Sequence, residues 1–121
     1  MHNVIAELPG TSRSDEIIIV GAHYDSRAAF DGWHDHDNVK PEHRGTPGAN
    51  DNASGVAAVL AIARRMAGRP LPRTVRFCFW VNEEPPFYQK PDAMGSHVSA
   101  QRSRAAHENI RAVIAFDAVG C

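Results

Sequence analysis

Apolar positions along the chain follow two periods, and the switches between them mark its elements. Residues 3–8 alternate loosely and stop at Pro9-Gly10, which predicts a short strand and a turn. Residues 16–22 hold the β-branched run Ile17-Ile18-Ile19-Val20, the pattern of a strand buried on both faces. The chain turns polar at once at His23-Tyr24-Asp25-Ser26, and residues 27–48, rich in Gly, Pro, Asp and His, read as a long loop. From Asn52 the period becomes helical. Val56, Val59, Leu60, Ala63, Met66 and Ala67 share one stripe, Arg64, Arg65 and Arg69 the other side, and Gly68 with Pro70 beyond it marks the stop. Residues 74–81 form a second apolar strand, residues 95–108 a second helix and residues 110–116 a third buried strand ending at Asp117. The order β-β-α-β-α-β predicts an α/β fold, a three-layer α/β/α sandwich on a largely parallel mixed sheet.

Composition narrows the functional classes. With 121 residues, 43% hydrophobic and 22% charged, the chain is the size and kind of one globular domain. A net charge of -1 gives no reason to expect nucleic acid or an anionic membrane as partner, and no apolar run nears the roughly 20 residues that span a bilayer. The N-terminus is not signal-like. Two cysteines make no disulfide framework, and Cys78, between Phe77 and Phe79, reads as a small buried hydrophobe. Seven histidines are many, and His23, His34, His36 and His43 cluster early. The last three read as members of a solvated loop rather than an extra metal site, and His97 and His107 as surface residues of the second helix.

The chemistry lies at strand ends. His23, Glu83-Glu84 and Asp117 each follow the C-terminal end of a predicted strand, and Asp51 precedes the first helix. Ligands of open α/β sheets bind at that rim. Singly, each residue has a plainer reading: a turn histidine, a helix cap, a solvated strand end, a turn aspartate. Together they place one imidazole and four carboxylates on one rim, where mutual repulsion calls for a cation. A nitrogen ligand among hard oxygens suits zinc.

His23-Tyr24-Asp25-Ser26, then Gly48-Ala49-Asn50-Asp51-Asn52-Ala53-Ser54-Gly55, then Asn82-Glu83-Glu84, in that order, resemble the motifs of M28 zinc aminopeptidases over nearly the whole chain. The resemblance implies a zinc-exopeptidase-like catalytic domain holding two zinc ions. It implies that His23 and Asp117 bind one ion, Glu84 the other and Asp51 both. Glu83 would be the general base, and Asp25 would orient the His23 ring through its second nitrogen. The implied reaction is hydrolysis of peptide bonds by activated water, releasing N-terminal residues. The family's second ion also takes a His from a later segment, so residues 1–121 are expected to form a partial domain, incomplete on its C-terminal side, with a weak second site. An exposed sheet edge is then expected to favour self-association. Two alternatives stay open: glutaminyl-cyclase-like acyl transfer, and a non-catalytic metal- or peptide-binding module.

Overall fold

A computed structural model describes residues 2–26 and 48–120 of the chain. The histidine-rich stretch with His34, His36 and His43 lies outside the described residues. The elements are β1 (Val4–Leu8), β2 (Arg13–His23), an irregular turn (Ala49–Ser54), α1 (Gly55–Met66), β3 (Arg73–Trp80), α2 (Gly95–Ala105) and β4 (Asn109–Ala115). Their order is the expected one. β2 begins earlier than its apolar run, and α2 ends before Glu108.

The four strands form one sheet in the order β1-β3-β2-β4. β2 runs parallel to both β3 and β4, and β1 lies antiparallel to β3. The steps β2-α1-β3 and β3-α2-β4 run in opposite directions across the sheet, so right-handed crossovers put the two helices on opposite faces. Packing agrees. Val20 and Ala22 of β2 join Val75 and Phe77 of β3 beneath Val59 of α1, with Val56, Ile62, Ala63 and Met66 around them. On the other face Ile17 and Ile19 meet Cys78, Trp80 and Ile110. The doubly buried strand read from Ile17-Ile18-Ile19-Val20 is therefore the central one. Val59 and Phe77 are almost fully enclosed, each contributing on the order of 1.5–3 kcal/mol of burial.

Two expectations need correction. Leu60, placed on the buried stripe of α1, is 54% exposed; Ile62 packs inward in its place, so the stripe sits one position round the helix. The strand expected over 110–116 forms, but it is not buried: Val113 is 57% and Ile114 47% exposed. β4 is an edge strand paired only with β2 among the described residues. The face it shares with β2 is roofed by α2, whose inward positions are Ser96, Ser99, Ala100 and Ser103. Such small side chains do not fill the space, and a groove of about 610 Å³ remains between helix and sheet.

Midway along β3, Arg76 links β1 to the connection between α2 and β4. Its Nη1 and Nη2 donate to the Glu108 carboxylate at 2.7 Å each, and its Nε donates to Glu7 of β1 at 2.5 Å. Arg73 pairs with Glu16 nearby. No described helix is long and apolar enough to cross a membrane.

Candidate metal centre

His23 is the last residue of β2, the strand held on both sides, and its ring is 5% exposed. Around it gather the carboxylates expected from the other elements. Asp51 Oδ1 lies 3.1 Å from His23 Nε2, Asp117 Oδ1 3.5 Å and Glu83 Oε2 3.9 Å. Asp51 is carried by the irregular turn before α1, where its backbone leaves helical geometry, and Asp117 by the segment just past β4.

His23, Asp51 and Asp117 each offer a ligand atom within 4.8 Å of the others, a spacing that fits a single cation. Nε2 and Asp51 Oδ1 are both buried and, among the described residues, neither makes a hydrogen bond, although they face each other. Buried polar atoms without such partners are costly, and a cation between them would satisfy both. The donor set, one imidazole and two carboxylates, has the chemistry of a zinc site.

The electrostatics follow from the crowding. Burial pulls the His23 pKa down, but its hydrogen bond to Asp25 and the charges of Glu83, Asp117 and Asp25 raise it further, to about 9. Glu83 is raised by burial and by Asp117, Asp25 and Asp51, against the opposing pull of His23. Asp25 moves the other way: burial would raise it, but the His23 hydrogen bond and the backbone amides of Glu84 and Glu83 hold it low.

Asp25 meets the second ring nitrogen of His23, as expected, through its backbone carbonyl as well as its carboxylate. Nδ1 lies 3.1 Å from the Asp25 carbonyl oxygen and 3.5 Å from its Oδ1. The carboxylate mainly accepts the backbone N–H groups of Glu83, at 3.2 Å, and Glu84, at 3.0 Å. One residue thereby aims the ring and anchors the glutamate pair. Glu84 is buried at this same rim but stands outside the group of three donors. His97 and His107 are exposed, as expected, but only His97 lies on α2, which ends at Ala105.

Two residues that sequence reasoning passed over hold the rim in place. Asn3 accepts the Val81 N–H at 3.1 Å and donates to the Gly95 carbonyl at 2.7 Å, fixing the strand end that leads to Glu83. Asn52, 1% exposed, bonds the backbone on either side of Asp117. Asn52 stood inside a quoted motif, yet only its neighbour Asp51 offered a charge to reason from.

Known proteins resemble this chain in sequence and in fold. A probable zinc metalloprotease of Pyricularia oryzae is 36% identical over 99% of this chain and 21% of its own length. The structure of a leucine aminopeptidase precursor from Bacteroides thetaiotaomicron superposes with a TM-score of 0.72 at 32% identity, covering 98% of this chain and 42% of that one. A glutaminyl cyclase from the same organism, bound to N-acetylhistamine, superposes with a TM-score of 0.73 at 32% identity, over 98% and 41%. The chain thus spans about two fifths of these structures and a smaller share of the fungal relative. The sequence profile of Peptidase family M28 matches residues 3–121, a stretch that includes every member of the rim described above, and the chain belongs to that family.

Proposed function

We propose that the chain provides the metal-binding and general-base part of a zinc-dependent aminopeptidase, which hydrolyses the first peptide bond of its substrate. The supporting observation is the convergence of His23, Asp51 and Asp117 on one point with Glu83 beside them. In this reading His23, Asp51 and Asp117 hold one ion, Asp51 is shared with a second, and Glu84 serves that second ion. When bound, zinc supplies Lewis acidity, polarising a carbonyl and acidifying water. Glu83 takes the proton of the attacking water at its carboxylate and returns it to the departing amine. Its raised pKa, caused first by burial, suits that exchange. Asp25 keeps the His23 ring aimed through Nδ1 and holds the Glu83 backbone, so ligand and base keep a fixed relation.

A second reading is favoured by the likeness, at the same identity, to a structure named a glutaminyl cyclase. There the substrate's own N-terminal amine replaces water as nucleophile and attacks its glutamine side-chain amide, releasing ammonia. Glu83 then moves the proton from that amine to the leaving ammonia. One experiment separates the two. The zinc-loaded protein is given N-terminal aminoacyl anilides and, separately, peptides beginning with glutamine. Anilide release supports the aminopeptidase, whereas cyclisation without anilide release replaces it with the second reading. Zinc binding with neither reaction leaves a binding module and overturns both.

A further inference from the structure

Asn52 is 1% exposed, and both ends of its side-chain amide are hydrogen-bonded to backbone. Oδ1 accepts the N–H of Gly55 at 3.1 Å and of Ala118 at 3.2 Å, which occupies both lone pairs. Nδ2 donates to the Phe116 carbonyl at 2.9 Å. The side chain thus bonds the carbonyl before Asp117 and the amide after it, the two groups a neighbouring strand would engage. The ladder ends here: β4 stops at Ala115, and the Phe116 N–H donates the last bond to β2, at 2.9 Å to the Gly21 carbonyl. From Phe116 onward a side chain takes over from the strand.

The neighbourhood is shaped for this contact. A Cβ on Gly55 would lie 2.3 Å from Asn52 Oδ1 and 2.8 Å from the Phe116 carbonyl oxygen, so only glycine lets α1 start so close. On the outer side Asn50 Oδ1 accepts the Gly120 N–H at 2.9 Å. The two asparagines that flank Asp51 in sequence therefore both grip the segment that carries Asp117.

We propose that Asn52 is a positioning residue that fixes Asp117 relative to Asp51, and so sets the spacing of the two carboxylates about His23 Nε2. The proposal rests on the metal-centre reading above. A helix cap alone would need only the Gly55 bond; the two bonds around Asp117 serve the spacing. Asn52→Ala removes all three bonds, and Asn52→Leu removes them while keeping most of the volume.

The test has two independent readouts on the whole protein. The first is backbone amide exchange without metal. The Ala118 amide should be protected in the wild type and exchange at least about tenfold faster in Asn52→Ala, as expected when a buried hydrogen bond is lost. The second is titration with cobalt alone, followed by its visible absorption. Both variants should bind about 10- to 100-fold more weakly, the range for residues that orient ligands, with an altered spectrum. Far-UV dichroism checks that they are folded. Cobalt affinity within twofold of wild type and an unchanged spectrum in either folded variant would overturn the proposal. An Ala118 amide that exchanges freely in the wild type overturns it too, even if neither variant folds. A wild type that binds neither cobalt nor zinc defeats the metal reading instead, and the exchange data then decide whether Asn52 holds Asp117 at all.

Discussion

Glu108→Gln isolates one interaction whose size the structure allows to be worked out. Glu108 lies beyond α2, and both its carboxylate oxygens accept from Arg76 at 2.7 Å. Arg76, with a hydrogen bond from Ser103 assisting, brings its pKa from the ordinary 4.5 to about 2. A tenfold change in proton affinity is worth about 1.4 kcal/mol, so the full linkage is about 3 kcal/mol. The Glu108 side chain is 24% exposed, and screening reduces the usable part to about 1–2 kcal/mol. The sign follows from the direction in which the pKa moves. A depressed carboxylate contributes stability above its unfolded pKa, and that contribution is lost as pH falls from about 4.5 towards 2. Urea unfolding of wild type and Glu108→Gln should differ by about 1–2 kcal/mol at pH 7 and converge across that acid window. A difference that persists undiminished to the acid limit would refute the charge assignment, since an amide mimics the carboxylate's shape at every pH.

Other perturbations test the rim. Glu83→Gln should retain zinc while hydrolysis falls by about 10²- to 10⁴-fold, measured by metal analysis beside kinetics; if it lost zinc and Glu84→Gln did not, the roles of the pair are reversed. Zinc at about a hundred times its dissociation constant should stabilise the wild type by about 2.7 kcal/mol, and Asp51→Ala or Asp117→Ala should forfeit most of that thermal shift. Gly55→Ala should cost about 1–3 kcal/mol in denaturant unfolding, because its new methyl meets the Asn52 side chain and the Phe116 carbonyl; wild-type stability would show that α1 can retreat from β4. Val113→Lys, on the exposed edge strand, should reduce any self-association seen by sedimentation, and an unchanged profile would place the contact elsewhere.

The parts of the molecule legible from sequence are those where one residue type has one physical use. The run Ile17-Ile18-Ile19-Val20 can only be covered on both faces, and it became the central strand. Charged residues at strand ends have few places to go except the rim, and His23, Asp51, Glu83 and Asp117 meet there. Burial of β4 was not legible, because Ile110, Val113 and Ile114 carry the same apolar pattern whether a strand is central or at the edge. Nor was the groove beneath α2, which depends on how far serine side chains fall short of the sheet. The amides of Asn3 and Asn52 were invisible for another reason. The partners that fix the rim, Val81 for Asn3 and Phe116 for Asn52, are backbone groups 78 and 64 residues away, and only the folded topology brings these together.

The register of β2 has a bearing on which changes of chain length the protein can absorb. Its pairing with β3 is irregular between Arg13 and Ile17, and with β4 between Ile17 and Ile18; from Ile18 towards His23 the rungs run unbroken. Strand side chains alternate between faces, so one residue inserted among Ile18 to Ala22 would turn everything after it over. His23 would then point across the sheet, away from Asp51 and Asp117. The same insertion ahead of Ile17 falls where the ladder already yields, and a bulge can take it up without disturbing the rungs beyond. Insertions and deletions during divergence should therefore collect at the entrance of β2, leaving the five residues before His23 constant in number even where their identities drift.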